Sequence, residues 1–186
     1  MTFRATWVIA AMLLLGHATC LKADTLPGSP RGREALDLCR FASEQTDTSA
    51  RLALLDRGLA LAEEAVEHDD ADAAAHFAVF CNLGRRLQLR PLNFGSLLAI
   101  RRLRREIDRT LALAPDAAGV LTAKGTMLLE LPRVLGGDPP EGERLLRRAL
   151  EIAPDSTDAR RALAEHGYVV SPVAAASVAR EPVHAP

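Results

Sequence analysis

An all-α fold, a helical-hairpin solenoid of about three helix pairs closed by a capping helix, is predicted by three features of the sequence. Ala, Leu and Arg dominate while aromatics are only 4% of residues, which favours helix over the β-branched and aromatic chemistry of strands. Apolar residues recur in steps of three and four through most of the chain. Two segments, LALAPD at Leu111 to Asp116 and LEIAPD at Leu150 to Asp155, share one grammar: an Arg-rich amphipathic helix, a Pro-Asp stop, then a small-residue helix. Self-similarity at roughly forty residues is the signature of stacked helix pairs. The balance of 48% apolar to 25% charged residues supplies a core and excludes disorder throughout.

The elements follow in order. Arg4 precedes an apolar run from Ala5 to Gly16 and then small residues, the layout of a secretory signal. The run is shorter than the about 20 apolar residues of a membrane span. Gly16 and Ala18 place small residues for cleavage after Ala18, giving a signal peptide over 1–18; Leu21-Lys22-Ala23 is a second candidate cleavage site. Cys20 introduces lipidation as an alternative, against which stand His17 and Thr19, where lipoprotein signals carry an aliphatic and a very small residue. Residues 19–32, rich in Pro and Gly, read as a flexible leader.

Ordered structure is predicted from Arg33. Ala35, Leu36, Cys39 and Ala42 form the apolar stripe of a first helix, and Thr46-Asp47-Thr48 supplies a break and a new cap. Leu52, Leu55, Leu59, Ala62 and Val66 step by 3, 4, 3 and 4 and define the second helix. After Asp69 to Asp72, Phe77, Phe80, Leu83 and Leu87 define the third, ended by Pro91. Leu97, Ile100, Leu103, Ile107 and Leu111 make the fourth, which stops before Pro115. A fifth runs from Asp116 through Leu121 and Leu128 to Leu131. Pro132 to Pro139 is a loop, Pro140 suits a helix start, and Leu145, Leu146, Ala149, Leu150 and Ile152 make the sixth. Thr157 to His166 is a last amphipathic segment, and 167–186 lacks periodicity and reads as a disordered tail.

Leu121, Gly125 and Leu128, then Gly142, Leu146, Ala149 and Pro154, resemble the tetratricopeptide repeat, with about five extra residues between the paired helices. The unit before it, Phe80, Leu83, Gly84, Leu87 and Pro115, resembles the pattern less closely, since Thr110 stands where the repeat has Ala. The first unit keeps Ala65 and the acidic turn after His68. The resemblance covers Phe80 to Asp155 and implies a right-handed solenoid over residues 33–166. Gly125, Gly142 and Ala149 would let helices cross closely while leucines fill the grooves beside them. Both insertions fall between the two helices of a unit, which places Leu92, Asn93, Phe94, Val134 and Leu135 on one edge as apolar contacts or as local core.

Net charge is −1, so total charge suggests neither nucleic acid nor an anionic membrane as partner. The distribution is uneven: eleven acids against three Arg between Glu34 and Asp72, and eight Arg against Glu106 and Asp108 between Arg85 and Arg109. Neutralisation between successive helices is the expected outcome. Arg101, Arg102, Arg104 and Arg105 lack the interleaved aromatics of a nucleic-acid surface. Cys39 and Cys81 are either a disulfide joining the first helix to the third, a link valued at roughly 4 kcal/mol by the chain-entropy model, or two buried thiols. His68, Asp72 and His76 are spaced by four, but the turn over Asp69 to Asp72 separates them, so metal binding is not expected. No Ser nucleophile elbow, phosphate loop or HExxH motif occurs, and neither an enzyme nor a cofactor is expected.

The expectation is an exported, non-catalytic scaffold that binds a protein or peptide. Arg85, Gln88, Thr122, Thr126 and Glu130, placed on the exposed side of the first helix of each unit, are the groove candidates, with Phe94 and Leu135 from the inserted loops. The alternative is a ligand-binding accessory protein of a periplasmic solute transporter, resembling the T-component type of such systems; an enclosed apolar pore would favour it. Self-association through uncapped repeat ends stays open. Membrane contact is expected only if Cys20 is lipidated.

Overall fold

The computed structural model describes residues 26–89 and 94–170. The signal segment, Cys20, the centre of the first inserted loop and residues 171–186 lie outside the described residues. Seven α-helices and one 3-10 turn make up the fold, with no strand among the described residues: α1 Pro30–Glu44, α2 Thr48–His68, α3 Ala73–Gln88, α4 Phe94–Leu113, α5 Ala118–Glu130, the turn Arg133–Leu135, α6 Pro139–Ile152 and α7 Thr157–Glu165. No described helix is long and apolar enough to cross a membrane.

Local sequence explains most boundaries. Asp47, Asp72, Asp138 and Ser156 each accept a hydrogen bond from the backbone N–H three residues on, occupying donors that a helix leaves unpaired at its start. Pro139 stands in the first turn of α6, where its missing N–H costs nothing. Asp116 does not start α5; Ala117 is its cap, without a side-chain bond, and Asp116 instead pairs with Arg148 at 3.2 Å.

The leader is ordered sooner than its Pro-Gly composition predicts. Helix α1 begins at Pro30 under a Ser29 cap, and the residues before it dock on the start of α3. Ser29 N–H donates to Asp72 Oδ2 at 2.9 Å, Ala74 N–H donates to the Pro27 carbonyl at 3.1 Å, and Leu26 is buried. A loop-like sequence can be held when its backbone groups find partners and one apolar side chain is buried with it. The far end behaves similarly, since Tyr168 and Val170 pack on the core inside the segment expected to be a tail.

Two apolar clusters organise the molecule. The larger joins α1 to α4 and reaches into α5 through Val120 and Ala123; the smaller joins α5, α6 and α7 around Leu146 and Leu163. Within the larger, Asn82 on α3 is fully buried and donates to the Ala35 carbonyl on α1 at 3.0 Å, and Phe77 and Phe80 stack at 5.9 Å. Helix α1 packs on both α2 and α3, α3 packs on α4, and α5 packs closely on α6, whereas α4 touches α5 only sparsely. That sparse junction is a seam within the larger cluster, which bridges it through Val120 and Ala123.

Charge is neutralised between helices as the sequence predicts, though two of the three pairs below skip a helix and join α2, or the turn after it, to α4. Asp56 meets Arg86 at 2.8 Å, Glu63 meets Arg102 at 2.5 Å and Asp70 meets Arg109 at 2.5 Å. Each such half-exposed pair is worth roughly 0–1 kcal/mol, so these ion pairs set the register of α2 against α3 and α4 more than they stabilise it.

Candidate functional site: a cavity at the seam

A cavity of about 130 Å³ opens where α3, α4 and α5 fail to close on one another. Its walls follow from helical spacing. On α3, Phe80, Gly84, Leu87 and Gln88 step by four, three and one, with Cys81 and Arg85 beside them, which places all six on adjoining strips of one face. Helix α4 supplies Ile100 and Leu103, and α5 supplies Ala123, Thr126, Met127 and Glu130, with Leu131 just beyond. At Gly84 the wall has room to spare: a methyl group there would make only ordinary contact, 3.6 Å from Leu103 Cδ2.

Four of the five groove residues read from sequence, Arg85, Gln88, Thr126 and Glu130, meet at this cavity. Their expected exposure is corrected. Arg85, Gln88 and Glu130 are half-buried, and Thr126 is buried with its hydroxyl donating to the Thr122 carbonyl at 2.9 Å. Thr122 does not line the cavity; it is buried, with its hydroxyl donating to the Ala118 carbonyl at 2.8 Å. A threonine in a small-residue helix looks solvent-facing in sequence, yet its hydroxyl can be satisfied by its own helix and leave the methyl free to pack. Leu135 is half-buried in the 3-10 turn and lines no part of the cavity. Phe94 opens α4, and its side chain lies outside the described residues.

The apolar lining was missed as a site because periodicity marks Phe80, Leu87, Ile100 and Leu103 as core. They are core residues at a place where the core is incomplete. Gly84 was the available signal, read only as part of a repeat pattern.

Glu130 is the unusual group in the wall. Among the described residues no hydrogen bond or ion pair reaches it. Burial, followed by the charge of Glu165 on α7, pushes its carboxyl up to about 8, because both effects disfavour the ionised form. The cavity therefore presents an apolar interior, an arginine on its α3 side and an acid that keeps its proton at neutral pH on its α5 side.

The remaining candidates lie elsewhere. Cys39 and Cys81 are buried as thiols in the larger cluster, so the alternative of a disulfide between them is not realised in this structure. Asp72 caps α3, His68 is exposed at the end of α2, and His76 is buried among other partners; the described residues contain no cluster of His, Cys, Asp or Glu suited to a metal. His76 instead joins α3 to α4, with Nδ1 2.7 Å from Glu106 Oε2 and Nε2 3.1 Å from the Asp70 carbonyl oxygen.

Compared with known proteins, the chain matches no family model, and no curated protein matches it significantly.

Proposed function

We propose that the chain is an exported, non-catalytic helical-repeat scaffold that binds a protein or peptide segment, with the cavity between α3, α4 and α5 receiving one side chain of the bound segment. The observation that carries this reading is the convergence of Arg85, Gln88, Thr126 and Glu130 around an apolar space. An apolar lining with a few polar groups at its edge is the usual anatomy of a recognition pocket. In the tetratricopeptide resemblance, α3 and α5 are the first helices of consecutive units, the surface that such solenoids use for partners.

Size favours a side chain over a whole solute. An apolar cavity of about 150 Å³ holds a single benzene, so a space of about 130 Å³ takes one ring or one aliphatic side chain. The cavity is also partly open to solvent, whereas an enclosed pore is expected of a transporter accessory protein. Export rests on Arg4 and the apolar run from Ala5 to Gly16.

Selection of displayed random dodecapeptides on the protein tests the reading. Peptides that bind the wild type should bind Gly84→Leu at least tenfold more weakly, since the added side chain fills the cavity and leucine also favours the helix over glycine. Failure to enrich any peptide, or equal binding to the filled variant, would remove the cavity from the proposed function.

A further inference from the structure

We infer that the side chain received by the cavity is a single lysine of the bound polypeptide, its aliphatic stem lying among Phe80, Leu87, Leu103 and Met127 and its ammonium group meeting Glu130. This inference rests on the peptide-binding reading of the same cavity and names what that reading leaves open.

The argument begins with the mismatch at Glu130. A half-buried carboxyl normally has a cation or several N–H donors to offset its lost hydration, and here no partner among the described residues does so. The charge that acts on it is a second carboxylate, Glu165, delivered by α7 where that helix packs on α5. An unpartnered acid at the edge of an apolar space, under the charge of a second, exposed acid, is complementary to a positive group on an apolar stem. Lysine has that shape, four methylenes carrying a compact ammonium with three donors. Neutral and anionic tips fit less well: a neutral tip gives the half-buried Glu130 no counter-charge when it ionises, and a carboxylate would add to the negative charge that Glu165 already exerts on it.

The other groups of the cavity wall narrow the partner further. Helix α4 contributes the apolar Ile100 and Leu103 and α3 contributes Arg85, while the exposed Glu165 of α7 lies outside the wall and acts on Glu130 through its charge. Arg85 on the opposite side disfavours a second positive charge on the segment, so the lysine should be flanked by neutral or acidic residues rather than lie in a basic run. Because burial and Glu165 keep Glu130 protonated at neutral pH, docking of the ammonium displaces that proton to solvent. Binding therefore strengthens as pH rises towards the range in which Glu130 ionises unaided.

The test uses the full-length protein and three blocked heptapeptides, alanine throughout except for a central lysine, norleucine or glutamate, with hexylammonium chloride as a fourth probe. Affinity is read by calorimetry and amide NMR at pH 6.5 and 8.5, for the wild type and Glu130→Gln. The lysine peptide is expected to bind at least tenfold more tightly than the other two and several-fold more tightly at pH 8.5 than at 6.5. Its binding heat at pH 6.5 should depend on the buffer's ionisation enthalpy, and Glu130→Gln should abolish both the preference and the pH dependence. Equal or better binding of the norleucine or glutamate peptide overturns the inference, as does an unaltered lysine preference in Glu130→Gln. If selected peptides occupy the cavity without any lysine preference, the scaffold reading stands and this inference alone falls. If hexylammonium binds and no peptide does, the occupant is a free amine and both fall.

Discussion

His76 Nδ1 stands 2.7 Å from Glu106 Oε2, and this contact locks α3 to α4 through a side chain that is only 4% exposed. Its other ring nitrogen faces the Asp70 carbonyl oxygen at 3.1 Å. A carboxylate and a carbonyl can only accept, so both ring nitrogens bond fully only when both carry protons. Arg102 and Arg109 complete the cluster, 3.6 Å from Glu106 and 2.5 Å from Asp70 respectively.

Burial pulls the His76 pKa down, but the hydrogen bond to Glu106, the Asp70 carbonyl and the two acids together raise it above its ordinary 6.5. A raised histidine stabilises the fold fully below about pH 6.5 and loses that contribution as pH climbs through the folded-state value. The urea midpoint of the wild type is therefore expected to fall as pH rises above 6.5. His76→Gln should be less stable by about 1–3 kcal/mol at pH 6, with a flatter profile above it. A variant profile as steep as that of the wild type would show that another group carries the dependence.

Glu130 acts in the same direction over a different window. Its folded-state pKa of about 8 exceeds the ordinary 4.5, so the native state holds a proton there that the unfolded chain releases, and stability declines as pH rises from about 4.5 to 8. Glu130→Gln removes that decline and should be more stable than the wild type at pH 8.5 and close to it at pH 4.5. Unfolding titrations at the two values decide the matter; parallel profiles for the two proteins would contradict the environment described for this acid.

Helices α5 and α6 cross at Gly125 and Gly142. A methyl group at 125 would stand 2.9 Å from the Gly142 carbonyl oxygen and 2.8 Å from Leu146 Cγ. Alanine favours a helix by up to about 1 kcal/mol over glycine, so an open site would be stabilised by Gly125→Ala. Here overpacking should win and the variant should lose about 1–3 kcal/mol, measured as a lower urea midpoint at unchanged slope. A stabilised variant would place the crossing farther apart than described.

Gly136 closes the turn before α6 at φ +91°, a conformation that costs an L side chain roughly 1–2 kcal/mol. The Arg104 guanidinium lies over it, and a methyl group at 136 would overlap Nη1 and stand 2.7 Å from Cζ. Gly136→Ala should lose about 1–2 kcal/mol in the wild type and less on an Arg104→Ala background. A loss unchanged by that second substitution would assign the whole effect to the backbone.

The sequence by itself determined the helices, because helix formation reads out from local periodicity, capping residues and prolines. The steps at Leu52 to Val66, the caps at Asp47 and Asp72 and the stop before Pro115 need no distant partner to be recognised. It also placed four residues of the cavity wall on faces that the structure brings together, since positions three and four apart on one helix stay together whatever the packing. What the sequence left undetermined depends on contacts far along the chain. The docking of Leu26 to Ser29 needs Asp72 and Ala74, and the environment of Glu130 needs Glu165. The cavity itself arises where α3, α4 and α5 pack incompletely beside Gly84. A gap in packing is a property of several helices at once, and no periodicity in one of them encodes it.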